Sequence, residues 1–235
     1  NKILDLSGVT SDGAPVANTG IKIGTDKYLE YQQVGHPMNS FWVFQQAYDK
    51  NGKAIEGAVV DRNGDGQITN DDRYYYKSPA APVTMGLASR LEYKNWDFSF
   101  SLRANLGNYV YDAVSQGFHN VTPNALWAST NFLTNKTASA VEDNWATDDV
   151  SAILSDRWIH NASFLKCDNI TLGYSFENLF KCAKYHGIGG RVYVTASNVF
   201  TITNYDGIDP EVFNGYDNNV YPRPFSFIVG LNLNF

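Results

Sequence analysis

The sequence predicts an all-β protein, specifically a transmembrane antiparallel β-barrel to which this chain contributes about five strands. Two observations support this prediction. Apolar and polar residues alternate with period two in five segments, at about 85–93, 96–106, 164–176, 190–200 and 226–235, as in strands with one apolar side. The connections between the segments are short on one side and long on the other, which is typical of outer-membrane barrels.

The composition excludes several classes of protein. The chain has 235 residues, of which 43% are hydrophobic and 14% aromatic, so we expect a folded rather than a disordered protein. Its net charge of -6 disfavours binding to nucleic acid. It contains no run of 18 apolar residues, which excludes a membrane-spanning helix but not a membrane-spanning barrel.

The alternation is most regular in the second and last segments. Even positions from Trp96 to Leu106 are apolar and the odd positions between them are polar or charged. In the last segment the odd positions from Phe227 to Phe235 are apolar. Each strand is therefore expected to have one apolar side. The polar side fits a wet barrel lumen and an ordinary solvated surface equally well.

The connections and the aromatic residues agree with a barrel. The first two segments are joined by Lys94-Asn95, whereas 107–162, 201–225 and the stretch 7–83 before the first strand are long. Aromatic residues at the short-turn ends of the strands would form an interfacial girdle. They are Tyr93, Trp96, Tyr174, Phe176 and Phe235.

The strand count indicates a larger protein. The smallest membrane barrels have about eight strands, and an open edge in lipid would leave backbone groups unpaired. The chain starts at Asn1 without an initiator Met, a basic region or an apolar region, so we expect it to begin in mid-protein. Cys167 and Cys182 are expected to be free thiols, because the intervening strand carries them too far apart for a bridge.

One loop carries a metal-binding pattern. Its oxygen-bearing residues occupy positions 1, 3, 5, 7, 9 and 12 of a calcium loop of the EF-hand or dockerin kind, with Gly66 at position 6. They are Asp61, Asn63, Asp65, Gln67, Thr69 and Asp72. Asp72 stands where a longer Glu is usual, and the alternative is a solvated turn without an ion. The expected role of Ca²⁺ is structural, because a bound ion stabilises the ordered state of a long extracellular loop.

Catalysis is not expected. The His residues lack metal-type spacing, and neither a Ser/His/Asp nor a Cys/His arrangement has local support. Trp127, Trp145 and Trp158 lie in the segment 107–162. There they could stack on sugar rings or, equally well, pack a small core of the loop itself.

A set of short stretches, taken in order, is more specific than any one of them. The stretches are VGHPMNSF at 34–41, DRNGDGQITNDDR at 61–73, YKNWDFS at 93–99, NITLGY at 169–174, SNVF at 197–200, DPE at 209–211, YPRP at 221–224 and GLNLNF at 230–235. With this order and spacing, the chain resembles the C-terminal part of the SusC/RagA-like TonB-dependent outer-membrane transporters of Bacteroidota.

The resemblance implies a 22-stranded barrel with an N-terminal plug. This chain would supply the last five strands within 84–235, and residues 1–6 would end the strand before them. The stretches 7–83, 107–162 and 201–225 would be extracellular loops. A SusD-like surface lipoprotein would form a lid over the barrel. TonB would energise import through the plug, which belongs to the N-terminal part of the same transporter, outside this chain.

The leading interpretation is an outer-membrane active transporter that imports oligosaccharides into the periplasm. A peptide importer of the same family is one alternative. A soluble, calcium-stabilised carbohydrate-binding β-sandwich is another, because the strands of a sandwich also alternate. An enzyme of glycan breakdown ranks last, since no pair of carboxylates is singled out.

Overall fold

The computed structural model describes residues 1–10, 14–17, 28–121, 136–146, 149–177, 189–218 and 221–234. The chain divides into two compact units. The strand unit consists of Val83–Leu106, Ser163–Asn204 and Tyr221–Phe235. The loop unit consists of Asn1–Pro82, Gly107–Ala162 and Tyr205–Val220.

Strands dominate both units. In chain order they are β1 (Val16–Ala17), β2 (Glu30–Gln32), β3 (Ser40–Val43), β4 (Gln46–Tyr48), β5 (Ala54–Val59), β6 (Tyr74–Tyr75), β7 (Val83–Tyr93), β8 (Trp96–Leu106), β9 (Tyr109–Asp112), β10 (Ile159–Asn161), β11 (Phe164–Phe176), β12 (Gly189–Thr203), β13 (Tyr216–Asp217) and β14 (Ser226–Asn234).

The helices among the described residues are short. They are α1 (Ala113–Phe118), α2 (Ala138–Asp143) and α3 (Val150–Ile153), with 3-10 turns at Asn70–Asp72 and Asp156–Trp158. Among the described residues, no helix has the length and apolar character needed to cross a membrane.

The strand unit is a single antiparallel sheet in the order β14-β12-β11-β8-β7. Its strand bounds differ from the predicted ones by at most three residues, and Phe235 lies outside the described residues. As described, these five strands do not form the two packed sheets of a β-sandwich. The fold is therefore the predicted all-β class, an antiparallel barrel wall.

One face of this sheet is apolar and exposed. A cross-strand row runs through all five strands, and its members are Leu91, Phe98, Leu172, Val194 and Val229. Leu91 and Val229 keep 60% and 64% of their surface exposed. Soluble proteins rarely expose a continuous apolar face across a whole sheet, whereas the outer face of a membrane barrel is apolar.

β11 contains a β-bulge near its start. Cys167 pairs with Leu102, and Asn169 pairs with the next residue of β8, Ser101. Asp168 is therefore an extra residue opposite β8. Arg103 Nε donates to the Asp168 carboxylate at 2.6 Å, so the extra residue is held by an ion pair with the neighbouring strand.

The bulge changes which residues of β11 share the apolar face. Beyond it, even-numbered residues such as Ile170 pair with apolar positions of β8. Before it, Leu165 and Cys167 occupy that face, and Lys166 pairs with Arg103 on the polar face. If Asp168 were paired as an ordinary residue of the strand, the alternation would place Lys166 on the apolar face with Ile170. Cys167 is buried and free, and Cys182 lies outside the described residues.

The loop unit has its own hydrophobic core. Small sheets in the orders β1-β2-β3-β6, β10-β9-β13 and β4-β5 surround it. Its central side chains are Leu29, Phe41, Val43, Tyr111, Trp145, Leu154 and Trp158. Core residues thus come both from the stretch before β7 and from the stretch between β8 and β11, which are distant in sequence.

The core decides an alternative that the sequence left open. Trp145 and Trp158 are 2% and 6% exposed and pack edge to face, with ring centroids 6.2 Å apart. These two residues therefore pack the core of the loop unit and offer no free face to a sugar. Trp127 lies outside the described residues.

Residues 1–6 form no strand in the structure. Ile3 instead exchanges backbone hydrogen bonds with the turn before β3: its N–H donates to His36 O at 2.9 Å, and its carbonyl accepts from Gly35 N at 2.9 Å. The assignment of residues 1–6 to the end of a preceding barrel strand stays a prediction.

Candidate metal-binding loop

The predicted calcium loop connects β5 to β6 in the loop unit. Gly64 and Gly66 adopt φ values of 77° and 80°. This left-handed backbone favours glycine, since a Cβ there would clash with the chain itself. The two glycines allow tight bends at positions 64 and 66, so that the Asp61 side chain can accept hydrogen bonds from the backbone of the loop.

Three side chains of the motif hold this turn from within. Both Asp61 carboxylate oxygens accept backbone hydrogen bonds, from Gly64 N at 2.6 Å and Gly66 N at 2.8 Å. Asn63 Oδ1 accepts from Asp65 N at 2.9 Å, and Asp65 Oδ1 accepts from Gln67 N at 2.8 Å. Such side-chain-to-backbone bonds are the usual stabilisers of Asx turns.

Asp72 closes the loop from its far end. The side chain is fully buried, and one oxygen accepts from Arg62 N at 2.9 Å and Asn63 N at 3.3 Å. The other oxygen accepts from Thr69 N at 2.8 Å and completes a capping box on the 3-10 turn. These hydrogen bonds, the one from Thr69 above all, lower the pKa of Asp72 below its ordinary value of 3.8, against an opposing effect of burial.

The structure brings some of the predicted ligands together. The side chain of Asp61 reaches that of Asp72 and contributes to the lowering of its pKa. Asp61 is half-buried, whereas Asn63, Asp65 and Gln67 are exposed. Within the described ranges, no three His, Cys, Asp or Glu side chains are grouped closely enough to hold a metal ion. Calcium binding therefore stays a prediction.

Arg73, which follows the loop directly, was missed by the sequence reasoning. Its Nε donates to Trp42 O at 3.0 Å, and its Nη2 donates to Tyr28 O at 2.6 Å and also to Trp42 O. Its guanidinium lies 3.9 Å from the centroid of the Trp42 ring. Burial lowers the pKa of Arg73 to about 10. Arg73 thus fastens the end of the loop to the backbone before β2 and to β3.

The five-stranded antiparallel sheet with its exposed apolar face defines the chain as part of a membrane β-barrel. Comparison with solved structures agrees with this class. Two structures of the RagAB peptide importer share the fold. The one in the open-open state matches with a TM-score of 0.68 and 22% identity over 100% of this chain and 25% of that one. The one in the closed-closed state matches with a TM-score of 0.65 and 24% identity over 91% of this chain and 24% of that one.

Sequence comparison is more specific. The chain is 50% identical to the TonB-dependent receptor SusC of Bacteroides thetaiotaomicron over 236 residues, which is 100% of this chain and 23% of that protein. It is 30% identical to the TonB-dependent receptor P3 of Formosa agariphila over 194 residues, or 75% of this chain and 18% of that protein. No protein-family profile matches the chain.

The chain belongs to the SusC/RagA-like TonB-dependent receptors and corresponds to their C-terminal part. It spans about a quarter of the length of the relatives it matches. These relatives are receptors and transporters of the β-barrel class rather than enzymes. The prediction of a β-barrel fold and of the family from the sequence is confirmed, and the count of 22 strands in the whole barrel stays a prediction.

Proposed function

We propose that this chain forms the C-terminal wall and outer loops of an outer-membrane importer that takes up nutrients, with oligosaccharides as its substrates. The observation that carries the proposal is the exposed apolar face of the five-stranded sheet, found in a chain so similar to SusC. A sheet with this face needs a lipid environment, and the rest of the barrel must pair its two edge strands, β7 and β14.

Sequence identity favours an oligosaccharide over a peptide as the substrate, because the chain is much more similar to SusC than to the RagAB proteins. The chain is 50% identical to SusC but only 22–24% identical to proteins of the RagAB peptide importer. At the lower identity, the similarity supports a shared fold and does not carry the substrate over. Peptide import is the second candidate, and the shared fold with the RagAB peptide importer is the observation that favours it.

Three partners belong to the proposal. The plug and the remaining strands come from the N-terminal part of the same transporter. TonB supplies energy through that plug. A SusD-like lipoprotein closes the outer opening. Exposed apolar side chains of the loop unit, among them Met38 and Phe213, are available for contact with it.

Calcium is proposed as a structural ion in the loop at 61–72. Asp61, Asn63, Asp65, Gln67 and Asp72 are the proposed ligands, and the motif spacing together with the contact of Asp61 and Asp72 supports the proposal. To bind the ion, the carboxylates would give up part of their hydrogen bonding to the backbone. The ion would then rigidify the segment that leads through Arg73 into β6.

Import is tested in the bacterium that carries the full-length gene. Deletion of the gene is expected to abolish growth on at least one class of oligosaccharide as sole carbon source. The intact gene should restore growth, and a copy without its TonB-contacting segment should not. A growth defect confined to peptides would instead support the peptide importer. Normal growth of the deletion strain on every oligosaccharide and peptide would overturn the proposal of an importer.

A further inference from the structure

A groove lined by aromatic side chains lies along β6 in the loop unit. Its volume is about 290 Å³, near the lower end of the range of small-molecule pockets, which is about 300–1,000 Å³. The side chains that give it its character are His36, Tyr75, Tyr76, Lys77 and Tyr109, and we call it the aromatic groove. Its size suits one section of an extended ligand rather than the whole ligand.

The aromatic groove has rigid walls. His36 and Tyr75 are stacked, with ring centroids 4.2 Å apart and planes 28° from parallel. Tyr76 and Tyr109 meet edge to face at 6.3 Å and 70°. The four rings are half-buried, so each is held by packing on one side and keeps part of its surface free. Rings fixed in this way lose little conformational entropy when a ligand packs on them.

The backbone beneath the rings is also fixed. Tyr76 N donates to Phe41 O at 3.0 Å, and Phe41 N donates to Lys77 O at 2.8 Å. Arg73, two residues before Tyr75, is fastened to backbone carbonyls before β2 and in β3. The aromatic groove is therefore built on an ordered sheet and has a defined shape before any ligand arrives.

The polar groups of the groove complement the rings. Lys77 Nζ lies 4.9 Å from the Tyr109 ring centroid and 5.6 Å from that of Tyr76, and its side chain is exposed. Apart from Asn1, the described lining contains hydroxyl, imidazole and ammonium groups but no carboxylate.

This combination matches the chemistry of a saccharide. A pyranose ring presents a patch of C–H groups, which pack on the electron-rich face of an aromatic ring. Its hydroxyl groups exchange hydrogen bonds with neutral and cationic donors at the rim. A peptide would also bring a positively charged N-terminus or basic side chains, for which the described lining offers no acidic partner.

We propose that the aromatic groove is a saccharide subsite, in which Tyr75 and Tyr109 stack on sugar rings and Lys77 bonds to hydroxyl groups. The proposal rests on the proposed oligosaccharide import, and it adds a location and residue roles. It assigns the groove to one short section of the chain of sugars that passes through the transporter.

The test uses the full-length transporter, purified with its lipoprotein partner in detergent. Binding of a size-graded set of neutral oligosaccharides, and of peptides of similar mass, is measured by isothermal titration calorimetry. Tyr75→Leu and Tyr109→Leu are each expected to weaken oligosaccharide binding by about 3- to 10-fold, because a stacking surface is lost. Tyr75→Phe keeps the ring and should bind within about 2-fold of wild type.

The matched control is Tyr48→Leu. Tyr48 belongs to the loop unit and is 52% exposed, but it does not line the aromatic groove. This variant should bind oligosaccharides as wild type does. Thermal unfolding of every variant checks that the fold is retained. If Tyr75→Leu is unstable, Tyr75→Phe supplies a second readout. Loss of binding in Tyr75→Phe would contradict a stacking role for Tyr75.

The outcomes separate the subsite from the function. Wild-type binding of oligosaccharides with unchanged affinity in Tyr75→Leu and Tyr109→Leu would overturn the subsite and leave the importer proposal standing. Wild-type binding of peptides alone would overturn both the oligosaccharide substrate and the saccharide subsite. Weakening of peptide binding by the same two variants would reassign the aromatic groove to peptides.

Discussion

Arg191 and Asp97 form a two-pronged ion pair that lies directly over Gly173. Arg191 Nε donates to Asp97 Oδ1 at 2.8 Å, and Arg191 Nη2 donates to Asp97 Oδ2 at 2.5 Å. Asp97 belongs to β8, Arg191 to β12 and Gly173 to β11 between them. The pair therefore links β8 to β12 across β11 on the polar face, and this contact is possible because Gly173 of β11 has no side chain there.

Gly173→Ala should weaken the sheet. A Cβ at this position would lie 2.4 Å from Asp97 Oδ1 and 2.5 Å from Arg191 Nη2, so the ion pair must move aside. We expect a loss of about 1–3 kcal/mol in stability, the usual range for overpacking. Thermal unfolding of the full-length transporter in detergent measures it.

Gly86→Ala is the control for that experiment. Gly86 lies in β7 of the same sheet, and a Cβ there would meet nothing within 4 Å. This variant should unfold like wild type or slightly later, because alanine restricts the unfolded chain more than glycine does. Equal destabilisation by both substitutions would show that the clash of a Cβ at Gly173 with the ion pair does not cause the loss of stability.

Arg73→Lys should loosen the end of the metal-binding loop. Lysine keeps the charge but lacks the planar guanidinium group, whose several N–H groups donate to Tyr28 O and Trp42 O at the same time. We expect a loss of about 1–3 kcal/mol, the cost of leaving buried carbonyl groups unpaired. Limited proteolysis near residues 61–77 is the measurement. Arg62→Lys, at an exposed position of the same loop, alters one side-chain hydrogen bond, to Gln45 Oε1, and should change the proteolysis less than Arg73→Lys does.

The order of the loop should depend on pH through Asp72. The pKa of Asp72 is lower in the folded protein than its ordinary value of 3.8. Its contribution is therefore fully present above pH 3.8 and is lost as the pH falls through the lowered value. Hydrogen exchange should show falling protection factors for the amides of Arg62, Asn63 and Thr69 in that acid range.

Substitutions make the pH experiment specific. Asp72→Asn should reduce the protection of these amides at neutral pH, because an amide nitrogen replaces one of the accepting oxygens. Asp71→Asn, at the exposed neighbouring position, should keep the wild-type profile. A wild-type pH profile in Asp72→Asn would refute the role of the Asp72 carboxylate.

Calcium should raise the thermal stability of the full-length transporter. An ion that binds the folded loop alone stabilises it by about 2.7 kcal/mol at a free concentration one hundred times the Kd. Removal of calcium by a chelator should reverse the effect, and Asp65→Ala should abolish it. Asp49→Ala alters another turn-forming aspartate outside the motif and should keep the calcium response. Absence of a calcium heat in calorimetry of the wild type would exclude the ion.

Much of the strand unit was predictable, because successive side chains of a regular strand point to opposite faces of the sheet. Apolar and polar residues that alternate in the sequence therefore lie on opposite faces. The bounds of β8 from Trp96 to Leu106 follow directly from its pattern. The pattern around Asp168 was not interpretable in the same way. Asp168 is identified as an extra residue only from the register between β11 and β8, and the sequence of β11 alone does not determine that register.

The site was predictable where its chemistry is local. Asp61 to Asp72 lie within one turn-rich stretch, and their spacing in sequence sets their spacing in space. Arg73 was missed because its partners, the carbonyls of Tyr28 and Trp42, are 45 and 31 residues away. The stacking of His36 on Tyr75 is likewise a product of the pairing between distant strands.

The bulge at Asp168 changes how β11 scores when a sequence is scanned for membrane strands. A hydropathy profile of period two compares even-numbered with odd-numbered residues. From Asn169 to Phe176 the even-numbered residues lie on the apolar face, whereas from Phe164 to Cys167 the odd-numbered ones do, so the two parts contribute with opposite sign. The two contributions partly cancel, so β11 scores as a weaker membrane strand than it is. Scanning the two halves in separate phases restores the signal and assigns the correct residues to lipid.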